Sequence, residues 1–209
     1  MTSTDDLVRS LASAAGTRRS VSLQVALAIT SAVSIACALI LVFSVIGSRP
    51  DLANMAVSIP FWFKLDYTGS VAVGTSVVAL YAATPGASAT ALYALAPAVI
   101  FLACGVIFDP VALPITGRSN TAVAFCMGSI LFLSLPGMIL TFVVMRKGAP
   151  TQPLFAGAVI GVHSASVGAM AFTVACKNDS TAFFVTWYTA ACAIMAFIGA
   201  VVGHRVLRW

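Results

Sequence analysis

The chain has 209 residues, of which 60% are hydrophobic and only 8% charged, with a formal net charge of +5. At a mean hydropathy of +1.04, this much apolar surface cannot be hidden inside a water-soluble domain of the same size, which excludes a soluble globular protein. The basic excess reads as a membrane-topology signal, and no direct nucleic acid binding is expected from it.

In chain order, the first element is the polar tail, residues 1–20, "MTSTDDLVRSLASAAGTRRS". Ser3 or Thr4 can cap a helix whose first turn carries Asp5 and Asp6, and Leu7, Val8 and Leu11 would share one face of it. Two readings stay open: a frayed terminus, or a helix that docks a cytoplasmic partner. Residues 21–209 hold the rest. About 20 apolar residues carry a helix across roughly 30 Å of hydrocarbon, and six stretches are long enough, at residues 21–47, 61–82, 87–108, 121–145, 154–176 and 181–206. The first follows Arg18 and Arg19 like a secretory signal, but it far exceeds the roughly 7–15 residues of a signal core and is expected to remain as an anchor. No segment alternates polar and apolar residues as barrel strands do. The expected fold class is therefore all-α: a polytopic membrane protein with six transmembrane helices.

Orientation follows from the cations. With a cytoplasmic N-terminus, Arg9, Arg18, Arg19, Arg146, Lys147, Arg205 and Arg208 lie inside, and Arg49, Lys64, Arg118 and Lys177 lie outside. This is the bias that the positive-inside rule requires, and six crossings place both termini in the cytoplasm.

Within the spans the features are mostly those of helix packing. Gly157, Gly161, Ala165 and Ala169 form a small-residue face on the fifth span, and Ala196, Gly199 and Gly203 form another on the sixth. Such faces let helices approach closely. Pro97 and the Pro136-Gly137 pair are expected to kink the third and fourth spans. Lys64 and Asp66 sit near the outer start of the second. His163 alone lies deep in a span, where a hydrogen-bonded packing role is favoured over a proton relay. Paired carboxylates, a serine–histidine–acid set, a phosphate loop and a metal-spaced histidine cluster are all missing from the sequence, so neither an enzyme nor a cofactor is expected.

Five cysteines remain. Cys37 and Cys192 fall near mid-membrane, and Cys104 falls a turn from the outer end of the third span. At about 1.5 Å per residue, Cys126 lies some 28 Å along the fourth span from Met145, and Cys176 some 34 Å along the fifth from Pro153. The short connection "RKGAPTQP" makes these two spans antiparallel neighbours, so the two thiols reach comparable outer heights and come within disulfide range. Read singly, each cysteine is a small apolar packing residue.

The stretches "TDDLVRSLA", "FWFKL", "MRKGAP", "ACKNDSTAFFVTWY" and the C-terminal "GAVVGHRVLRW" together resemble the NrsF-like proteins over nearly the whole chain. The resemblance implies a six-helix protein of the bacterial inner membrane. It further implies an anti-sigma factor, a negative regulator that holds an extracytoplasmic-function sigma factor until a stress arrives. Carried over by position, the family's two cysteines fall on Cys126 and Cys176, whereas Cys37, Cys104 and Cys192 have no counterpart. Lys177-Asn178 departs from the family's pattern of a proline and an acid. The expected mechanism is release of the sigma factor when a periplasm-facing thiol pair, Cys126 and Cys176, is oxidised or binds a soft metal ion. Because the periplasm is oxidising, a resting pair must be shielded. The sigma-docking surface is expected on Asp5, Asp6, Leu7, Val8 and Leu11. The competing reading is a small membrane subunit or transporter-like scaffold with passive cysteines.

Overall fold

A computed structural model describes residues 4–6, 8–9, 22–83, 89–107, 122–148 and 150–208. Among the described residues the chain is helical, with no strand. Six helical segments overlap the six apolar stretches, the fifth ending at Phe172, short of the expected residue 176.

The first, α1 (Leu23–Leu41), starts at Ser22, whose Oγ accepts from Val25 N at 3.4 Å and so satisfies an otherwise free helix-end donor. It runs on into a π-helical turn, Val42–Ile46, and stops at Gly47, whose φ of 86° favours glycine. One helical turn, Leu52–Met55, leads to α2 (Ile59–Ala82), which has Pro60 in its first turn, where a missing N–H costs nothing. A 3-10 stretch, Ala89–Leu95, precedes α3 (Ala96–Ile107). Pro97 therefore stands at the change from 3-10 to α geometry, in the first turn of α3. It does not interrupt an α-helix, as the sequence had suggested, because the preceding residues are not α-helical. By contrast, α4 (Ala122–Met145) does enclose Pro136. Last come α5 (Pro153–Phe172) and α6 (Thr181–Val206), the latter capped by Ser180 Oγ accepting from Phe183 N at 3.3 Å.

Four segments are long and apolar enough to cross a membrane by length and composition: Leu23–Ile46, Val123–Met145, Pro153–Phe172 and Thr181–Val206. The other two fall short for visible reasons. Hydroxyl side chains and the charged Lys64 and Asp66 dilute α2, and the 3-10 stretch leaves α3 only 12 residues of α-helix.

At the centre stands α5, packed against α6, α4, α2 and α1. Most of its side chains are buried, including the polar Ser164, Ser166 and His163. The small faces meet as their spacing suggested. A methyl group added at Gly157 would overlap the Gly199 carbonyl, and one at Gly161 would overlap the Met195 carbonyl, so these helices touch backbone to backbone. His163 ties three helices together: Nε2 pairs with Ser31 Oγ of α1 at 3.1 Å, and Nδ1 faces Ala72 O at 3.2 Å and Ser76 Oγ at 3.3 Å, both on α2. Its polar atoms are thus satisfied within the bundle, which fits the packing role and leaves no relay path to explain.

Candidate functional site

Alternation of the helices brings the C-terminal ends of α1 and α5 to one end of the bundle with the N-terminal ends of α2, α4 and α6. The hydrogen bonds and ion pairs that gather there involve Arg49 after α1, Lys64 in the second turn of α2, Cys126 in the second turn of α4, and the 173–180 connection from α5 to α6.

Cys126 and Cys176 are 3% and 4% exposed. Neither is in a disulfide. Both belong to one apolar cluster with Ile130, Phe172, Phe183, Phe184 and Tyr188. Around them the rings of Phe63, Phe184, Tyr67 and Tyr188 pack edge to face, with centroids 5.2–5.7 Å apart, an arrangement that aromatic quadrupoles favour. The buried Tyr188 hydroxyl sits beside the pair without a well-formed hydrogen bond, and Asn178 Nδ2 is a second buried polar atom left without one.

Charged side chains gather about Cys176 and its loop. Lys64 is 2% exposed, and its Nζ donates to the Asn178 carbonyl, to Asp179 Oδ1 at 3.3 Å and to Cys176 Sγ at 3.9 Å. Cys176 Sγ in turn points at Asn178 O, 3.6 Å away. Arg49 closes the other flank. Its guanidinium makes a two-pronged pair with Asp51 at 2.8 and 3.0 Å, another with Asp179 at 3.0 and 3.2 Å, and a 3.0 Å bond to the Cys176 carbonyl. Its backbone N–H also donates to Val174 O at 3.2 Å. The loop carrying Cys176 is thus strapped to α1 by Arg49 and to α2 by Lys64. Burial pushes the Asp179 carboxyl up, but the Arg49 hydrogen bond and the Lys64 charge together hold it below the usual carboxylate range. The Arg49 hydrogen bond likewise lowers Asp51, and the same two carboxylates raise Arg49.

The fifth helix ends at Phe172, so Cys176 lies in the connection beyond it and not on the span as its helical rise had assumed; it shares a buried cluster with Cys126. Arg49, Lys64, Asp179 and Tyr188 were not singled out as partners of the thiols; the available signal was a lysine and an aspartate of opposite sign at the same expected membrane depth. Cys37 and Cys192 are half-buried elsewhere in the bundle and Cys104 is exposed. Among the described residues no group of three or more His, Cys, Asp or Glu side chains converges as a metal site, so the thiol pair offers a metal two donors. In the tail, Asp5, Asp6 and Val8 are helical and exposed, and Leu7 and Leu11 lie outside the described residues.

No solved structure matches the chain. It is 30% identical to the anti-sigma-F factor NrsF of Caulobacter vibrioides (strain NA1000 / CB15N), with 99% of each chain covered. It is also 28% identical to the probable anti-sigma-F factor NrsF of Azospira oryzae (strain ATCC BAA-33 / DSM 13638 / PS), again over 99% of both. Residues 11–209 match the family described as negative regulator of sigma F. Taken with the all-helical, strongly apolar bundle, this match over nearly its full length shows that the chain belongs to the NrsF family.

Proposed function

We propose that this protein is an anti-sigma factor of the bacterial inner membrane that sequesters an extracytoplasmic-function sigma factor and releases it when the Cys126–Cys176 pair is oxidised from the periplasmic side. All six apolar helices cross the bilayer in this reading. The tail, residues 1–20, faces the cytoplasm and docks the sigma factor through Asp5, Asp6, Leu7, Val8 and Leu11; the helical, exposed Asp5, Asp6 and Val8 support it. The carrying observation is the thiol pair itself: two free cysteines, one on α4 and one in the α5–α6 connection, in a single apolar cluster, shielded from solvent, with the loop of the second strapped by ion pairs. Shielding is what a reduced pair needs in an oxidising compartment. The chemistry balances with a hydroperoxide as oxidant: two thiols lose two protons and two electrons, an S–S bond forms, the O–O bond breaks, and the peroxide leaves as an alcohol and water, or as two waters from hydrogen peroxide.

The test is a strain carrying this protein, its candidate sigma factor and a sigma-dependent reporter. Detergent extraction is expected to co-purify the two proteins from unstressed cells, and peroxide is expected to separate them and raise the reporter. The Cys126→Ser, Cys176→Ser double variant is expected to insert and repress but no longer to respond. Normal induction in that variant would remove the thiol mechanism and leave the anti-sigma reading standing; failure to co-purify in unstressed cells would remove the latter.

A further inference from the structure

The surroundings of the two thiols differ, and the difference assigns them separate parts. We infer that Cys176 is the attacking thiolate, that Cys126 is the resolving thiol, and that Lys64 is the positioning residue that holds negative charge on Cys176 Sγ; this rests on the oxidant-sensing reading above.

Three observations carry the assignment. Lys64 Nζ lies 3.9 Å from Cys176 Sγ and is itself fixed by Asp179 Oδ1 and the Asn178 carbonyl. A cation held beside sulfur stabilises the thiolate, which is the nucleophile. Cys126 stands on α4 in the apolar cluster, and among the described residues the Lys64 ammonium hydrogen-bonds Cys176 and not Cys126. The Tyr188 hydroxyl, buried beside the pair with no settled partner, supplies a donor for charge that appears during the reaction.

The steps balance. Cys176 thiolate attacks one oxygen of hydrogen peroxide: the S–O bond forms, the O–O bond breaks, and hydroxide leaves and is protonated to water, giving a sulfenic acid on Cys176. Cys126 sulfur then attacks Cys176 sulfur: the S–S bond forms, the S–O bond breaks, and the departing hydroxide takes the Cys126 proton as a second water. Sulfur is oxidised by two electrons in the first step, and the second step redistributes that oxidation over the disulfide.

The experiment uses the full chain, reduced, in detergent or nanodiscs, treated with hydrogen peroxide in the presence of a sulfenic-acid-trapping reagent, with peptide mass spectrometry reading each cysteine. In Cys126→Ser the trapped adduct is expected on Cys176. In Cys176→Ser, Cys126 is expected to stay unmodified over the same time. Lys64→Met, made in the Cys126→Ser background, is expected to slow adduct formation about tenfold or more, because the thiolate is the reacting form, and Lys64→Arg is expected to recover most of the rate. That rescue separates a charge effect from misfolding. Adduct forming on Cys126 in Cys176→Ser at the rate of the Cys176 adduct would overturn the assignment while leaving the sensing pair intact. An unchanged rate in Lys64→Met would remove Lys64 from it. Absence of any reaction at either thiol in the unmodified protein would overturn both this assignment and the oxidant-sensing reading.

Discussion

Asp179 is the residue on which both straps converge, since one carboxylate accepts from the Arg49 guanidinium and the Lys64 ammonium together. Its loss would leave Lys64, almost wholly buried, with carbonyl and sulfur partners but no counter-charge. Asp179→Asn is therefore expected to destabilise the bundle by about 1.5–3 kcal/mol, the range for hydrogen bonds to charged groups, read as a lower melting temperature in detergent. Acidity should act through the same atom. Asp179 and Asp51 are both held below the ordinary carboxylate range in the folded protein, so the unfolded chain takes up their protons first as the pH falls. The stabilisation they give is then complete above about pH 5 and is lost progressively as the pH drops through the ordinary carboxylate value near 3.8 and on through the lower folded-state values. Melting temperature should be flat with respect to these groups from neutral pH to about 5 and fall below that, and Asp179→Asn should flatten the acid limb. A limb unchanged in Asp179→Asn would assign the acid sensitivity to another group. None of this ionic network stood out in the sequence, because Lys64 gains its partners from a non-periodic loop, residues 177–180, whose path no spacing rule specifies.

The helices themselves were far more legible, for a reason specific to lipid: a spanning segment must be long, apolar and internally hydrogen-bonded, so hydropathy and length mark its ends. Helical rise served for Cys126, which stands on α4, but not for Cys176, which lies beyond the end of α5; the repeated small residues of α5 and α6 marked the face along which the backbones touch. The 3-10 stretch before Pro97 was less visible, since Ala89–Leu95, with only Thr90 and Tyr93 polar, reads as part of the same apolar run. The close α5–α6 crossing gives a direct test. Gly161→Leu would thrust a side chain into the Met195 carbonyl, and overpacking of this kind costs about 1–3 kcal/mol, more when backbone must move. It is expected to lower melting temperature and to disturb the Cys176 loop at the end of α5. Leucine at Gly128, whose added methyl would meet nothing within 4 Å, is the control expected to be silent. A second element-scale test concerns the tail: deleting residues 2–16 while keeping Arg18 and Arg19 should preserve insertion and repression should fail, giving constitutive target transcription. Full repression by that truncated protein would move the docking surface to the cytoplasmic loops.

For the molecule as a whole, the proposed orientation joins the site to its output. In that orientation the strapped thiol end would face the periplasm, and α1 would lead from Arg49 back to the tail. A reporter active only in the periplasm, fused after Trp209, should therefore stay silent; activity there would reverse the orientation and strand the thiols in the reducing cytoplasm. The energetics then limit how the switch behaves. Closing a disulfide biases a conformational equilibrium by about 2–4 kcal/mol, whereas carrying a two-state element from 1:99 to 99:1 takes about 5.5 kcal/mol. If repression at rest is that tight, oxidation of every molecule still releases only part of the bound sigma factor. A graded response is expected: as peroxide rises, reporter output should climb with the fraction of disulfide measured by thiol labelling, and it should level off below the output of a strain lacking this protein. A plateau equal to that strain would mean that the resting bias is weaker than about 1.3 kcal/mol, the remainder of about 4 once about 2.7 has carried the equilibrium from even to 99:1, or that oxidation also breaks the Arg49–Asp179 strap. The Asp179→Asn variant separates these, since it removes the strap beforehand and should raise basal output only in the second case.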